Sequence, residues 1–137
     1  MSIQSKQQEL IEEFAMFPSW MEKYEYIIEL GKDLAVLPDN EKNEDNLIKG
    51  CQSRVWITAR QNQDGTLHFE ADSDAIITRG MVSLIVRIFE GEKGQDIVDA
   101  PMDFLKEIGL MENLSPTRSN GLAAMIKQIK TYGLLMQ

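Results

Sequence analysis

A second cysteine is what this chain most conspicuously lacks: Cys51 stands alone among 137 residues. No internal disulfide and no Cys-x-x-Cys pair can form. Histidine is equally scarce, with His68 the only one, so four cysteine and histidine ligands for zinc cannot be assembled. An iron–sulfur cluster held within one chain needs about four thiolates, which excludes that cofactor too. Positive charge is the next shortage. Lys and Arg total 14 against 22 Asp and Glu, a net charge of −8 with pI near 4.6. No basic patch marks a nucleic-acid binder, and an anionic membrane surface would repel the chain. Long apolar runs are missing as well. The stretch from Met81 to Phe89 is interrupted by Ser83 and Arg87, too short and too polar to span a bilayer. The opening Met1-Ser2-Ile3-Gln4-Ser5-Lys6 has no apolar signal-peptide core. An unpaired thiol suits a reducing compartment, so the expected location is the cytoplasm.

What is present reads as one α+β domain over residues 1–137. Leu10, Ile11, Phe14 and Phe17 recur at helical spacing and predict a helix from Lys6 to Met16, ended by Pro18. Ser19 and Glu22 form a capping box for a second helix with an apolar stripe of Met21, Tyr24, Ile27, Ile28 and Leu34. Gly31 is expected to weaken its last turn. Val36-Leu37-Pro38 leads into Asp39 to Asn46, which reads as a solvated acidic loop. From Ser53 the pattern alternates, Asn62-Gln63-Asp64-Gly65 signals a hairpin, and Leu67, Phe69 and Ala71 face inward on the returning strand. With a short pairing near Leu47, this predicts a small antiparallel sheet packed against several helices. Asp72-Ser73-Asp74 supplies an N-cap for a buried helix from Ala75 to Phe89. Short helices follow around Pro101. Ser115-Pro116 opens a final helix lined by Leu122, Met125, Ile126, Ile129 and Tyr132. The eight methionines mostly fall on such stripes and read as core.

Chemistry points to Cys51, in Gly50-Cys51-Gln52-Ser53-Arg54-Val55-Trp56. Gly50 lets the backbone turn sharply and is expected to expose the sulfur. Lys49 and Arg54 flank it and favour the thiolate, the reactive form. A lone thiolate can attack the outer sulfur of a persulfide and carry it away. The bland alternative is a buried structural cysteine, and the residues alone leave both readings open. Trp56 either shields the sulfur or packs on a sheet face. His68 alternates to the outside of its strand, which makes it a poor general base. Arg118 lies in the first turn of the last helix, where a cation is mildly unfavourable. It either docks a partner, pairs with an acid such as Asp74, or is an ordinary surface residue. Gln52 and Ser53 either hydrogen-bond a sulfur anion or a partner's backbone, or are plain turn residues.

The segment Gly50 to Trp56 resembles the cysteine signature of the SufE-type sulfur-acceptor family, including its CsdE-like branch. The resemblance extends through Trp20-Met21-Glu22-Lys23-Tyr24, Tyr26 to Gly31, Asp72-Ser73-Asp74-Ala75 with Gly80, and Leu114 to Leu122 with Ala124-Met125-Ile126. It implies an α+β fold shared with IscU-type scaffolds. It also implies that a pyridoxal-phosphate cysteine desulfurase, of SufS or CsdA type, passes sulfur to Cys51 as a persulfide. The sulfur would then go to an iron–sulfur cluster scaffold. Under this resemblance the chain itself holds no cofactor and no metal, since the pyridoxal phosphate belongs to the desulfurase. Gly50, Gln52, Ser53, Asp74 and Arg118 become candidates for loop support or partner binding, and the Cys51 loop is expected to rest with its sulfur tucked against apolar surface and to swing out about the Gly50 hinge on docking. A monomer and a homodimer both remain open. The competing functions are a stand-alone single-cysteine thiol enzyme and an interaction module in which Cys51 is structural.

Overall fold

The computed structural model describes residues 2–35 and 37–137. Met1 and Val36, which the sequence reading placed in the opening segment and in the lead-in to the acidic loop, lie outside the described residues. Helices α1 (Ile3–Ala15) and α2 (Trp20–Lys32) precede a hairpin of β1 (Val55–Gln61) and β2 (Leu67–Ser73). Then come α3 (Ile76–Phe89), the short α4 (Gly94–Asp99), α5 (Phe104–Glu107) and α6 (Leu110–Asn113), and the long α7 (Pro116–Leu135). The expected α+β architecture is present, with a two-stranded antiparallel sheet.

Local chemistry sets the element ends. The Ser2 hydroxyl accepts from the Ser5 amide at 3.1 Å and starts α1 three residues before the predicted Lys6. Ser19 caps α2 by accepting from the Glu22 amide at 3.3 Å. The reciprocal half of the predicted capping box is not among the described bonds. At the hairpin, Asp64 Oδ1 accepts from the Thr66 amide at 3.1 Å, and Gly65 takes φ +88°. This turn sets the register from Gln61↔Leu67 to Val55↔Ser73. Val55, Ile57, Leu67, Phe69 and Ala71 thereby face the core. The predicted pairing near Leu47 is an isolated antiparallel bridge to Trp56.

Helix α3 is the centre of the molecule and packs against α1, α2, β2 and α7. Its buried residues occur on nearly every side, as its apolar sequence requires. The closest approach is to α2, where Gly31 faces Gly80. A Cβ on Gly80 would sit 2.1 Å from the Ile27 carbonyl oxygen, and one on Gly31 would sit 2.9 Å from the Gly80 amide. Gly31 is therefore a packing residue, not a weak point. Three further expectations are corrected. Met21 is 72% exposed and Met16 78%, so neither belongs to the core; they sit at the α1–α2 corner, beyond the reach of α3. The N-cap of α3 is Ala75, with no side-chain cap; Ser73 Oγ instead accepts from the Ala75 amide at 3.2 Å. The acidic loop is not freely solvated. It forms two 3-10 turns, Asp39–Glu41 and Glu44–Asn46, and Lys42 reaches inward to the buried Asp72 at 2.8 Å.

Candidate functional site

Cys51 occupies the loop between the second 3-10 turn and β1, and three segments build its surroundings. The loop itself contributes Gln52 and Ser53. The start of α3 contributes Ala75, Ile77, Thr78 and Met81. The first two turns of α7 contribute Thr117, Arg118 and Gly121, with Met125 below them. Together they line a partly open cavity of about 120 Å³ with the thiol in its wall.

Gly50 supplies the turn. Its φ of +92° is a conformation that residues with a Cβ rarely adopt. The turn does not expose the sulfur at rest, in keeping with the expectation of a tucked resting loop. It directs the side chain inward, where Cys51 is half-buried and its Sγ–H donates to the Gly121 carbonyl at 3.6 Å. Gly121 has no side chain to fill this space; a Cβ there would lie 3.5 Å from Sγ. Burial pushes the Cys51 thiol above its ordinary pKa. The expected activation by Lys49 and Arg54 is thus outweighed at rest, since desolvation disfavours the thiolate while both flanking cations are exposed to solvent.

The loop is fastened on its far side. The Asp74 carboxylate accepts from the Arg54 amide at 3.0 Å, and the Asp74 amide donates back to the Arg54 carbonyl at 3.2 Å. Ser73 Oγ donates to that same carbonyl at 2.8 Å. Beneath this clamp the buried Asp72 carboxylate accepts from Arg79 Nε at 2.9 Å and pairs with Lys42. Burial alone would raise the Asp72 pKa. Lys42, the Ser73 amide and Arg79 outweigh it and hold the carboxyl below its usual range. Segments before and after Cys51 are therefore tied to the same end of β2.

Most candidates from the sequence converge here. Gly50, Gln52, Ser53 and Arg118 border the thiol or its cavity, and Asp74 clamps the loop. One alternative does not hold, that of an Arg118–Asp74 pair, while the reading of His68 as a poor base for the thiol does hold. Arg118 does not pair with Asp74; its guanidinium lies over the Tyr24 ring, 5.6 Å from the centroid, so α2 steadies it from the opposite side. His68 pairs with Arg60, five residues along from Val55 in register, or about 17 Å down the strand. There its Nδ1 lies 2.7 Å from Glu90, away from the thiol. Trp56 is partly buried on the sheet. The residues that sequence reasoning missed are Lys42, Asp72, Tyr24 and Gly121. A glycine inside a helix, at a cost of about 1 kcal/mol against alanine, was the available signal for Gly121. Among the described residues no group of three or more His, Cys, Asp or Glu is arranged to hold a metal, and no helix is long and apolar enough to cross a membrane.

Comparison with known proteins gives the family of the chain. The family described as "SufE: Fe-S metabolism associated domain" matches residues 8–133. An uncharacterised SufE-like protein of Rhizobium meliloti (strain 1021) is 40% identical over 128 residues, covering 90% of this chain and 91% of the relative. The chain belongs to the SufE family. Its SufE domain takes in the Cys51 loop, the Asp74 clamp and the part of α7 that closes the cavity. The solution structure of a hypothetical protein from Thermus thermophilus superposes on this SufE-family chain with a TM-score of 0.78. The match covers 96% of this chain and 95% of that one at 20% identity, a likeness of fold alone.

Proposed function

We propose that this chain is a sulfur acceptor serving a pyridoxal-phosphate cysteine desulfurase in iron–sulfur metabolism, with Cys51 as the carrier. One observation carries the reading: a single thiol on a glycine-turned loop sits in the wall of a cavity with room for one more sulfur. Membership of an Fe–S metabolism family supports it. The step balances without an outside oxidant. The Cys51 thiolate attacks the outer sulfur of a persulfide on the desulfurase. A bond forms from Sγ to that sulfur, the donor's sulfur–sulfur bond breaks, and the electron pair leaves with the donor thiolate. Cys51 then carries the persulfide to an iron–sulfur cluster scaffold. With no second cysteine in the chain, no resolving thiol can strip the sulfur off as an internal disulfide.

Burial divides the work into two states. At rest the protonated thiol is sheltered, half-buried between the start of α3 and the first turns of α7. On docking, the loop turns about Gly50, the sulfur leaves its apolar surroundings, and Lys49 and Arg54 favour the thiolate. Gln52 and Ser53 supply hydrogen bonds along the moving segment, and Arg118 guards the mouth. The chain needs no cofactor of its own.

The test is sulfide release by a cysteine desulfurase with this protein added. The native chain accelerates release in the presence of reductant, and Cys51→Ser does not. Equal acceleration by the serine variant would overturn the assignment.

A further inference from the structure

Thr78 is the third residue of α3, lines the thiol cavity and is only 7% exposed. A threonine inside a helix commonly returns its hydroxyl to the carbonyl four residues back, as Thr131 does to Lys127 at 2.8 Å. Thr78 makes no such bond, and its Oγ1 has no hydrogen-bond partner among the described residues. Yet among those residues no unpartnered side-chain oxygen is shut away from open space. The hydroxyl therefore faces free space, and the space that Thr78 borders is the cavity beside Cys51.

Backbone donors stand next to it. Serine side chains cap α1, α2 and α7, whereas α3 opens without a side-chain cap. Ser73 Oγ takes the Ala75 amide at 3.2 Å, which leaves the amides of Ile76, Ile77 and Thr78 as the free donors of the first turn. Ile77 and Thr78 both line the cavity. The nearby charges are otherwise engaged or outside. Arg118, the one charged side chain in the wall, rests on the Tyr24 ring. Lys49 and Arg54 are exposed on the loop. Asp74 is turned to the Arg54 amide, and Asp72 is held by Lys42 and Arg79.

Resting on the acceptor reading above, we infer that the cavity is an anion site for the loaded sulfur, in which the Thr78 hydroxyl donates a hydrogen bond to the terminal sulfur of the Cys51 persulfide and the first-turn amides of α3 supplement it. Sulfur delivered to Cys51 ends in S–S–H. A perthiol is a stronger acid than a thiol, so its proton passes to water and the terminal sulfur keeps the charge. An anion in a half-buried pocket must be hydrogen-bonded, or it takes its proton back. The Gly121 carbonyl, which accepts from the resting thiol at 3.6 Å, has no hydrogen to offer an anion. The α3 wall has both a hydroxyl and free amides, at the helix end where the macrodipole favours negative charge. In the loaded protein the terminal sulfur, about 2 Å beyond Sγ, turns to that wall. One cavity thus holds the thiol neutral and the persulfide charged. The charge also slows loss of the sulfur, because it repels an incoming reductant thiolate.

The experiment loads Cys51 chemically, so that its result stands apart from the acceptor reading. The thiol is converted to an aromatic mixed disulfide and treated with sulfide, which attacks Sγ, forms the new sulfur–sulfur bond and expels the aromatic thiolate. Intact mass confirms the added sulfur. Cys51 is the only cysteine, so the near-ultraviolet absorbance of the perthiolate reports this one group as acid is added. Thr78→Val keeps the side-chain shape and removes the hydroxyl, and its midpoint is expected about one pH unit or more above the native one. Thr78→Ser retains the native midpoint. Thr78→Ala shifts as valine does, so the test does not depend on one variant folding. The alkylation midpoint of the unloaded thiol stays in place in all three. A loaded midpoint unmoved by Thr78→Val and Thr78→Ala, or an equal shift in the unloaded thiol, would overturn the inference. The acceptor reading fails separately, if a desulfurase with cysteine adds no sulfur to the native chain.

Discussion

The Cys51 thiol donates to the carbonyl oxygen of Gly121 at 3.6 Å, joining the reactive loop to the second turn of α7. This contact holds the sulfur where burial raises its pKa, and the missing side chain at Gly121 leaves the cavity open beside it.

Gly121→Ala follows from that pair. Its Cβ would rest 3.5 Å from Sγ, an ordinary contact, so the substitution does not disturb the resting loop. Replacing a helical glycine adds roughly 0.5–1 kcal/mol of stability, visible as a higher urea midpoint. The new methyl takes space that the outer sulfur of a persulfide needs. The sulfur-loaded variant is therefore expected to lose its sulfur to a thiol reductant faster than the loaded native chain. An unchanged lifetime would contradict the shelter.

Asp74→Ala removes the acceptor of the Arg54 amide while leaving the backbone bond from Asp74 to Arg54 in place. A loss of about 1 kcal/mol is expected, along with faster hydrogen exchange at Arg54 and severalfold faster alkylation of Cys51. Alkylation at the native rate would show that the clamp does not restrain the thiol.

The thiol titration gives a pH prediction. Its folded pKa is raised by burial, so the neutral thiol belongs to the folded resting state. The stability linked to it is fully present below the unfolded thiol value, near pH 8.5. That stability is lost as pH rises through the folded value. The alkylation rate of the free protein should have its midpoint above that of a small thiol. A desulfurase inactivated at its own cysteine should shift the midpoint down on binding. A midpoint at or below the small-thiol value in the free protein would contradict the buried resting state.

Gly80→Ala tests the helix contact that supports the cavity floor. A Cβ 2.1 Å from the Ile27 carbonyl oxygen cannot be accommodated without moving α2 from α3. The expected loss is about 2–3 kcal/mol by denaturant titration. Near-native stability would mean that the two helices approach less closely than described.

Much of the fold was legible because local signals agreed. The Ser19 cap, the turn at Asn62 to Gly65, the alternation through Ile57 and Phe69, and Pro116 after Ser115 each place an element without help from distant residues. Cys51 was legible as the centre of the site because no other thiol competed with it. What stayed hidden depends on contacts remote in sequence. Gly31 looked like a weak turn until Gly80 appeared opposite it. Lys42 looked like part of a solvated run until the buried Asp72 came within 2.8 Å. Arg118 was readable as a cation out of place, but its Tyr24 partner is on a helix far earlier in the chain. The Cys51 sulfur was expected to rest tucked against apolar surface, but the wall that it meets could not be named from the sequence. The turn at Gly50 is local, whereas the α7 wall that buries the sulfur is formed some 70 residues later.

The most direct test of the sulfur-carrier account is the intact mass of the protein after incubation with a cysteine desulfurase and cysteine. The account predicts a gain of one sulfur atom, removed by reductant and absent in Cys51→Ser. An unchanged mass in the correctly folded native chain, or the same gain in the serine variant, would contradict it.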